Sequence, residues 1–218
     1  MMTAIIAGSS GLVGKYVLSH LLASSRYSKV VALTRYDLSI TDSKLVQIRT
    51  DFTSLKTDLA SVNCDDVFCC LGTTIAKAGS TEKFYEVDFK YPLDLARVTK
   101  DLGATQFLLV SALGANKDSS IFYNRVKGEV EQAISVVCFK SFHIFRPSLL
   151  LGPRHEKRPG EDAAKVFFRL FGFLVPSKYK PVHAGQVAAA MVYCASRETE
   201  GEVIHHSEDL RNFEDPQE

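Results

Sequence analysis

The chain has 218 residues, of which 46% are hydrophobic, so apolar burial is sufficient to stabilise a sizeable core without disulfides. Charged residues make up 23% and the formal net charge is +1, which disfavours nucleic acid or an anionic membrane surface as the main partner. The five cysteines include no pair with the two-residue gap of common metal sites. We therefore expect reduced, buried thiols and no metal site.

The apolar runs bear on the location of the protein. The N-terminus carries no basic leader, and its apolar run at 3–7 is too short for a signal peptide. The longest apolar stretch, at 166–176, contains Arg169 and falls far short of the roughly 20 residues that span a bilayer. These observations predict a cytoplasmic protein without a membrane span, and a homodimer is compatible with them.

Strand-like and helix-like segments alternate along the chain. Short runs rich in β-branched and other apolar residues predict strands at 3–7, 29–34, 46–50, 66–72, 106–111 and 142–147, with a last strand at 202–206. Runs without polar alternation are typical of strands buried on both faces of a parallel sheet. The alternation predicts an α/β fold, a Rossmann-like doubly wound parallel sheet.

Two helical patterns between these strands are clear. The first places on one stripe the residues Val13, Val17, Leu18, Leu21 and Leu22. The second does the same for Val87, Tyr91, Leu95, Val98 and Leu102, and Gly103 follows it as a C-terminal cap. These stripes predict the faces that pack on the sheet.

The segment "GSSGLVG" at 8–14 lies between the first predicted strand and the first predicted helix. Gly8 permits a tight turn, Gly11 lets the backbone approach a pyrophosphate, and Gly14 lets helix and strand pack closely. The helix N-terminus adds unpaired N–H groups and a partial positive charge. We expect the dinucleotide to contact Gly8, Ser9, Ser10, Gly11, Leu12 and Val13.

The end of the second predicted strand indicates which dinucleotide binds. Sites specific for NAD usually place an acidic residue there, whereas this chain has Thr34 and Arg35. The planar guanidinium of Arg35 suits a 2′-phosphate, so we expect NADP(H) and regard NAD as less favoured. A solvated loop arginine is the alternative explanation, and the nearby Asp37 keeps NAD open.

Two further strand ends are candidates for the cofactor crevice. Asp51 and Phe52 follow the third strand, where the edge of an adenine ring would lie. The fourth strand ends in Leu71, Gly72 and Thr73. Residues of these types at strand ends are also typical of turns, so each is a weak signal alone.

A candidate catalytic group follows the fifth strand. Tyr123 and Lys127 are four residues apart on a helical pattern and therefore share a face, and Ser111 ends the preceding strand. A neighbouring ammonium favours the phenolate of Tyr123 and brings its pKa toward the working range for proton transfer. Ser111 would orient a substrate carbonyl through a hydrogen bond. The alternative is a packed tyrosine beside a solvated lysine.

In this order, the glycine loop, Ser111, Tyr123 and Lys127 resemble those of short-chain dehydrogenases/reductases. The stretches "FCCLGTT" at 68–74, "YNRVKGEVE" at 123–131 and "FRPSLLLGPR" at 145–154 resemble the atypical members of the Tat-interacting-protein type. The resemblance implies a Rossmann fold, NADP(H) binding through Gly8, Gly11, Gly14 and Arg35, and a Ser–Tyr–Lys triad. Several members of that group are better known as regulators than as catalysts.

These patterns lead to a prediction of a single NAD(P)-binding domain over 1–218. It would comprise a dinucleotide-binding core at 1–150, a small substrate-binding part at 151–205 and a frayed polar tail at 206–218. The leading function is NADP(H)-dependent oxidation or reduction of a small alcohol or carbonyl substrate. A dinucleotide-sensing regulatory protein without turnover is the alternative. The phenylalanine-rich segment 163–176 is expected partly to pack in the core and partly to contact substrate.

Overall fold

The computed structural model describes residues 2–153, 176–197 and 199–213. Seven parallel strands form the main sheet, in the order β3-β2-β1-β4-β5-β6-β9. These strands are β1 Met2–Ala7, β2 Tyr27–Thr34, β3 Leu45–Arg49, β4 Asp66–Cys69, β5 Gln106–Val110, β6 Ser141–Arg146 and β9 Gly201–His206. Two short strands, β7 Leu150–Leu151 and β8 Val182–His183, pair in a second sheet. The expected α/β doubly wound architecture is confirmed.

Helices connect the strands of the main sheet. They are α1 Gly14–Ala23, α2 Leu55–Asp58, α3 Ile75–Ala78, α4 Thr81–Tyr85, α5 Tyr91–Asp101, α6 Phe122–Ser135, α7 Ala184–Ala195 and α8 Ser207–Arg211. A π-helical turn, Glu86–Lys90, joins α4 to α5, and a 3₁₀ turn, Ser177–Tyr179, precedes β8. The subdivision of the single domain into three parts, with boundaries at residues 150 and 205, stays a prediction.

The strand order reverses at β1, which determines where a ligand fits. At its carboxyl end, Ala7 pairs with Leu33 of β2 on one side and with Cys69 of β4 on the other. The connections from β1 and β4 leave on opposite sides of the sheet, which opens a crevice at these strand ends. The glycine loop and the segment after β4 both begin there.

The core lies on the two faces of the sheet. Alternate residues of β1 point to opposite faces, so Ile5 belongs to one cluster and Ile6 to the other. Helices α5 and α6 cover the Ile5 face, whereas α1 and α7 pack together over the Ile6 face. Both faces of the sheet are therefore covered, as the apolar strand runs predict.

The stripe predicted for the first helix is confirmed, since its residues are buried or half-buried. The residues of the stripe predicted for the second helix are likewise buried or half-buried, and Tyr91, Val98 and Leu102 pack against the core. The buried positions of this region also include Asp88, Pro92, Leu93, Ala96 and Thr99. A search for apolar residues misses Asp88 and Thr99, because both are polar and are buried with hydrogen-bond or ion-pair partners.

The tail differs from the prediction of a frayed segment. Ser207 is buried and its hydroxyl accepts a hydrogen bond from the Ser148 N–H at 3.0 Å. Leu210 is 2% exposed, and the Arg211 guanidinium donates to the Ser177 carbonyl at 2.6 Å. The polar composition of this segment does not indicate the few contacts that hold 207–213 against the rest of the fold.

The cysteines are all free, as expected, but not all are buried. Cys64 and Cys69 are buried and Cys70 and Cys194 are half-buried, whereas Cys138 is exposed in the turn after α6. The expectation of buried thiols is therefore wrong for Cys138, because the turn places it outside the core. The phenylalanine-rich segment falls outside the described residues except for Pro176.

The turn after β1 depends on Gly8 and Gly14. Gly8 has φ of +85°, and a Cβ there would lie 2.5 Å from the Cys70 carbonyl oxygen. A Cβ on Gly14 would lie 2.1 Å from the Gly8 carbonyl oxygen. Both distances are shorter than any side chain tolerates, so the glycines allow β1, α1 and the segment after β4 to approach closely.

A matched pair of alanine variants distinguishes the effect of this close contact from the effect of the positive φ angle. Gly79 has φ of +84° but open space around its Cβ position, so Gly79→Ala should lose about 1 kcal/mol of unfolding free energy. Gly8→Ala adds overlap with Cys70 and should lose at least about 3 kcal/mol. Urea denaturation of both variants measures the difference, and equal losses would show that the close approach is unimportant.

Candidate active site

The glycine loop offers the features that a dinucleotide phosphate needs. Ser9, inside the loop, is 3% exposed, and its hydroxyl finds no hydrogen-bond partner among the described residues. The buried hydroxyl of Thr34, at the end of β2, also has no hydrogen-bond partner among the described residues. Gly11 is exposed, so its backbone is open to a ligand. Unpaired buried hydroxyls and a glycine cradle at a helix N-terminus fit a bound dinucleotide.

The segment after β4 connects this loop to α6. Gly72 is exposed, and a Cβ placed there would lie 3.5 Å from Oδ1 of Asp88 and 3.6 Å from Nζ of Lys127. The Thr73 N–H donates to Oδ2 of the same aspartate at 2.9 Å. The structure therefore brings Gly72, Thr73 and Lys127 together at the edge of the sheet that also holds Gly8.

The Lys127 ammonium is buried in an ion pair. Its Nζ lies 2.8 Å from Oδ1 of Asp88, and the lysine and aspartate are 4% and 0% exposed as residues. Burial alone lowers the pKa of Lys127, but the Asp88 carboxylate and the Tyr123 side chain outweigh it and raise that pKa above its usual value. Lys127 consequently stays protonated at neutral pH, with Asp88 as its counter-charge.

Tyr123 lies one turn before Lys127 on α6 and interacts with its charge. The Tyr123 residue is half-buried, and its ring packs on Phe84 of α4, with 5.5 Å between ring centroids. The aromatic contact fixes one face of the ring, and the residue retains an exposed part. The structure therefore supports the predicted pairing of tyrosine and lysine on one helix face.

Ser111 is oriented differently from the prediction. Its hydroxyl donates a hydrogen bond to Oε1 of Glu131, which is 5% exposed and lies one turn after Lys127 on α6. The Arg146 guanidinium holds that carboxylate through two hydrogen bonds, one of them 3.1 Å from Nε to Oε1. In this structure Ser111 belongs to a network with Glu131 and Arg146.

Three residues of the site were missed in the sequence. Glu131 lies at the end of the quoted stretch 123–131, four residues after Lys127, so the helical spacing could have indicated it. Arg146 ends β6 at the same edge as Ser111. Asp88 lacks such a signal, because a carboxylate next to apolar residues is normally assigned to solvent.

The remaining predicted cofactor residues lie at the ends of β2 and β3. Arg35 is exposed, and Asp37 forms an exposed ion pair with Arg49 at 3.6 Å. Asp51 is also exposed and accepts hydrogen bonds from Thr53, chiefly from its hydroxyl, which lower the Asp51 pKa. These residues follow the carboxyl ends of β2 and β3, at the sheet edge where the glycine loop begins.

Phe52 adopts an unusual backbone conformation beside α5. Its φ is +69°, and its ring stacks on Tyr91 with 4.8 Å between centroids. The Phe52 side chain is therefore part of the core between β3 and α5, as well as a candidate neighbour of the adenine.

A comparison with known protein families agrees with this geometry. The model of the NAD dependent epimerase/dehydratase family matches residues 4–204. The chain belongs to this family. It is 39% identical over 170 residues to protein HTATIP2 of Rattus norvegicus, a match that covers 76% of this chain and 70% of the relative. The resemblance to the Tat-interacting-protein type is thereby confirmed.

Solved structures of low sequence identity share the fold of this family member. Bordetella bronchiseptica WbmH, in complex with NAD⁺, superimposes with a TM-score of 0.73 at 16% identity, covering 95% of this chain and 76% of that one. MoeE5, in complex with UDP-glucose and NAD, gives 0.71 at 17% identity, covering 93% and 74%. These neighbours confirm the Rossmann-like fold.

The prediction of a cytoplasmic location is wrong on the evidence of other relatives. The FMP52 protein of Candida glabrata is 35% identical over 206 residues, covers 91% of this chain and 87% of its own length, and is named mitochondrial. Relatives from Aspergillus terreus and Emericella nidulans carry the same designation. Among the described helices, none has the length and apolar composition to cross a membrane.

The ion pair between Asp88 and Lys127 gives a prediction about stability. Asp88→Asn should cost about 3–5 kcal/mol of unfolding free energy, because it leaves the Lys127 ammonium buried without a counter-charge. Lys127→Met should cost a similar unfolding free energy, because it leaves the Asp88 carboxylate buried without a counter-charge. The double variant should lose clearly less than the sum of the two.

Urea denaturation of the four proteins in this cycle measures the coupling directly. Strictly additive losses would contradict the proposed interaction between the two charges.

Proposed function

We propose that the chain is an NADP(H)-dependent oxidoreductase acting on a small carbonyl or alcohol substrate. The observation that carries this proposal is the buried, charged Lys127 next to Tyr123, at the same sheet edge as the glycine loop. A buried ammonium is costly, and such groups cluster at functional sites. The family match supports a dinucleotide-dependent reaction.

The residues of α6 supply the proton chemistry of this proposal. The phenol of Tyr123, one turn from the Lys127 ammonium, can release a proton to a substrate oxygen and recover it in the reverse direction. Asp88 is a positioning residue, since it keeps the ammonium beside the tyrosine. A bound nicotinamide would supply or accept the hydride.

The orientation of Ser111 bears on how it would contact a substrate. A serine hydroxyl has one proton, and here Glu131 accepts it. The oxygen of Ser111 can then only accept a hydrogen bond, for example from the hydroxyl of an alcohol. Donation to a carbonyl oxygen would require the Ser111 hydroxyl to rotate away from Glu131.

The same observation favours a second candidate function. A serine bonded to a Glu131 carboxylate that Arg146 holds in place is consistent with a dinucleotide-sensing protein that performs no hydride transfer. Both candidates require the cofactor to bind, and they differ in turnover. Turnover by the native protein therefore separates them.

The first experiment addresses turnover. A panel of small aldehydes, ketones and alcohols is tested by the change in NADPH absorbance, and Tyr123→Phe should lower the rate about 10²-fold or more while NADPH affinity is retained. Tyr85→Phe, which alters a half-exposed tyrosine stacked on Phe89, is the control and should retain the native rate. A native protein that binds NADPH but turns over no member of the panel would favour the sensor.

The second experiment addresses the cofactor. NADPH should bind at least tenfold tighter than NADH, a difference of about 1.4 kcal/mol, because Arg35 is exposed at the end of β2 and available to a 2′-phosphate. Arg35→Asp should reverse the preference, and Arg97→Asp, at an exposed position of α5, should leave it unchanged. Calorimetry that gives equal native affinities for the two cofactors would contradict the proposal of NADP(H).

A further inference from the structure

A second cluster of chemically active side chains lies away from the Lys127 site. His143 is in the middle of β6, and His205 is near the end of the neighbouring strand β9, where it pairs with Phe145. Cys194 is in the last turn of α7, which packs over the same sheet face. One ring nitrogen of each histidine and the cysteine sulfur all lie within 4.8 Å of one another. We call these three residues the His–Cys cluster.

The two imidazoles are held in a defined arrangement. Nδ1 of His143 lies 2.9 Å from Nε2 of His205, so one ring donates a proton to the lone pair of the other. The His205 ring also stacks on Phe145, with 4.4 Å between centroids and 13° between planes. Stacking and hydrogen bonding together restrict both rings.

His143 carries a polar atom that the fold leaves without a partner. The residue is 1% exposed, and its Nε2 finds no hydrogen-bond partner within the described part of the chain. Whichever tautomer is present, this nitrogen is a buried donor or a buried acceptor that remains unpaired. An apolar residue at this core position would avoid that cost, so core packing alone does not explain why the position holds a histidine.

We propose that His143, Cys194 and His205 form a binding site for one Zn²⁺ ion. Imidazole nitrogen and thiolate sulfur are the ligand types that zinc prefers. Zinc bonds of about 2.0–2.1 Å to nitrogen and about 2.3 Å to sulfur place tetrahedral ligand atoms roughly 3.3–3.6 Å apart. The ligand atoms of the cluster lie within 4.8 Å of one another, so small shifts of its side chains would enclose the ion.

The protonation states of the cluster are compatible with this site. Burial lowers the pKa of His143, and burial together with His143 lowers the pKa of His205 to about 4, so both imidazoles are neutral with lone pairs at pH 7. Burial raises the pKa of Cys194 to about 11. Zinc binding would form the metal–sulfur bond and release the thiol proton.

The position of the cluster leaves room for an exchangeable fourth ligand. In the main sheet β9 is an edge strand, and His205 and Cys194 are half-buried, so solvent reaches the cluster from that edge. Three protein ligands with one open position are typical of zinc sites that exchange water or a small ligand. The Lys127 and Asp88 side chains belong to elements packed on the opposite sheet face, so this would be a separate site.

The sequence positions of these three residues show why the cysteine spacing predicted no metal site. That criterion tests only ligands close together in the sequence. Here the ligands lie at 143, 194 and 205, and only the pairing of β6 with β9 and the packing of α7 bring them together.

The experiment uses the purified chain, freed of metal by a chelator and titrated with Co²⁺ as a spectroscopic substitute for Zn²⁺. We expect a thiolate-to-cobalt charge-transfer band that saturates at one ion per chain and disappears when Zn²⁺ is added. Cys194→Ser should abolish the band, and both Cys194→Ser and His205→Gln should weaken Zn²⁺ binding at least about tenfold. Cys138→Ser, at an exposed cysteine outside the cluster, is the matched control and should change neither.

A measurement on the native chain keeps the proposal testable if a variant fails to fold. Zn²⁺ should slow the alkylation of Cys194 without affecting that of Cys138, as read by mass spectrometry. The proposal is overturned by the absence of both the band and this protection. It is equally overturned by a band that persists in a folded Cys194→Ser variant, or by Zn²⁺ binding that the two cluster substitutions leave unchanged.

Discussion

The ion pair between Lys127 and Asp88 is the interaction on which the candidate active site depends. An ammonium buried to this degree requires a counter-charge, because a lone charge in the core costs several kcal/mol. Asp88 supplies it from the π-helical turn before α5 and also accepts the Thr73 N–H after β4. One carboxylate therefore joins α6, the turn before α5 and the edge of the sheet where the glycine loop begins.

Helix α6 places three polar side chains at successive turns of one face. Tyr123 and Lys127 lie toward Phe84 and Asp88, and Glu131 lies toward Ser111 and Arg146. Each buried charge has an opposite charge and hydrogen-bond partners, which is the condition under which such groups are tolerated. The two networks share one helix, so the helical backbone sets their positions relative to each other.

The two faces of the sheet carry different chemistry. The face under α5 and α6 adjoins the Lys127 site, whereas the face under α1 and α7 contains the His–Cys cluster beside Phe145. A parallel sheet covered on both sides allows this separation, because alternate residues of one strand serve different cores. The two sets of side chains therefore lie on opposite faces of the same sheet.

The sequence by itself determined the strands of the main sheet, the parallel α/β fold, the glycine loop and the placing of Tyr123 and Lys127 on one helix, because these follow from local apolar runs and helical spacing. It did not indicate the short strands β7 and β8. It did not determine the roles of Asp88 and Arg146 or the orientation of Ser111. These depend on contacts between residues far apart in the chain, and a buried carboxylate looks like a solvated one until its partner is known. Tertiary structure alone decided which polar groups are paired in the core, because pairing depends on distance in space and not on spacing in the sequence.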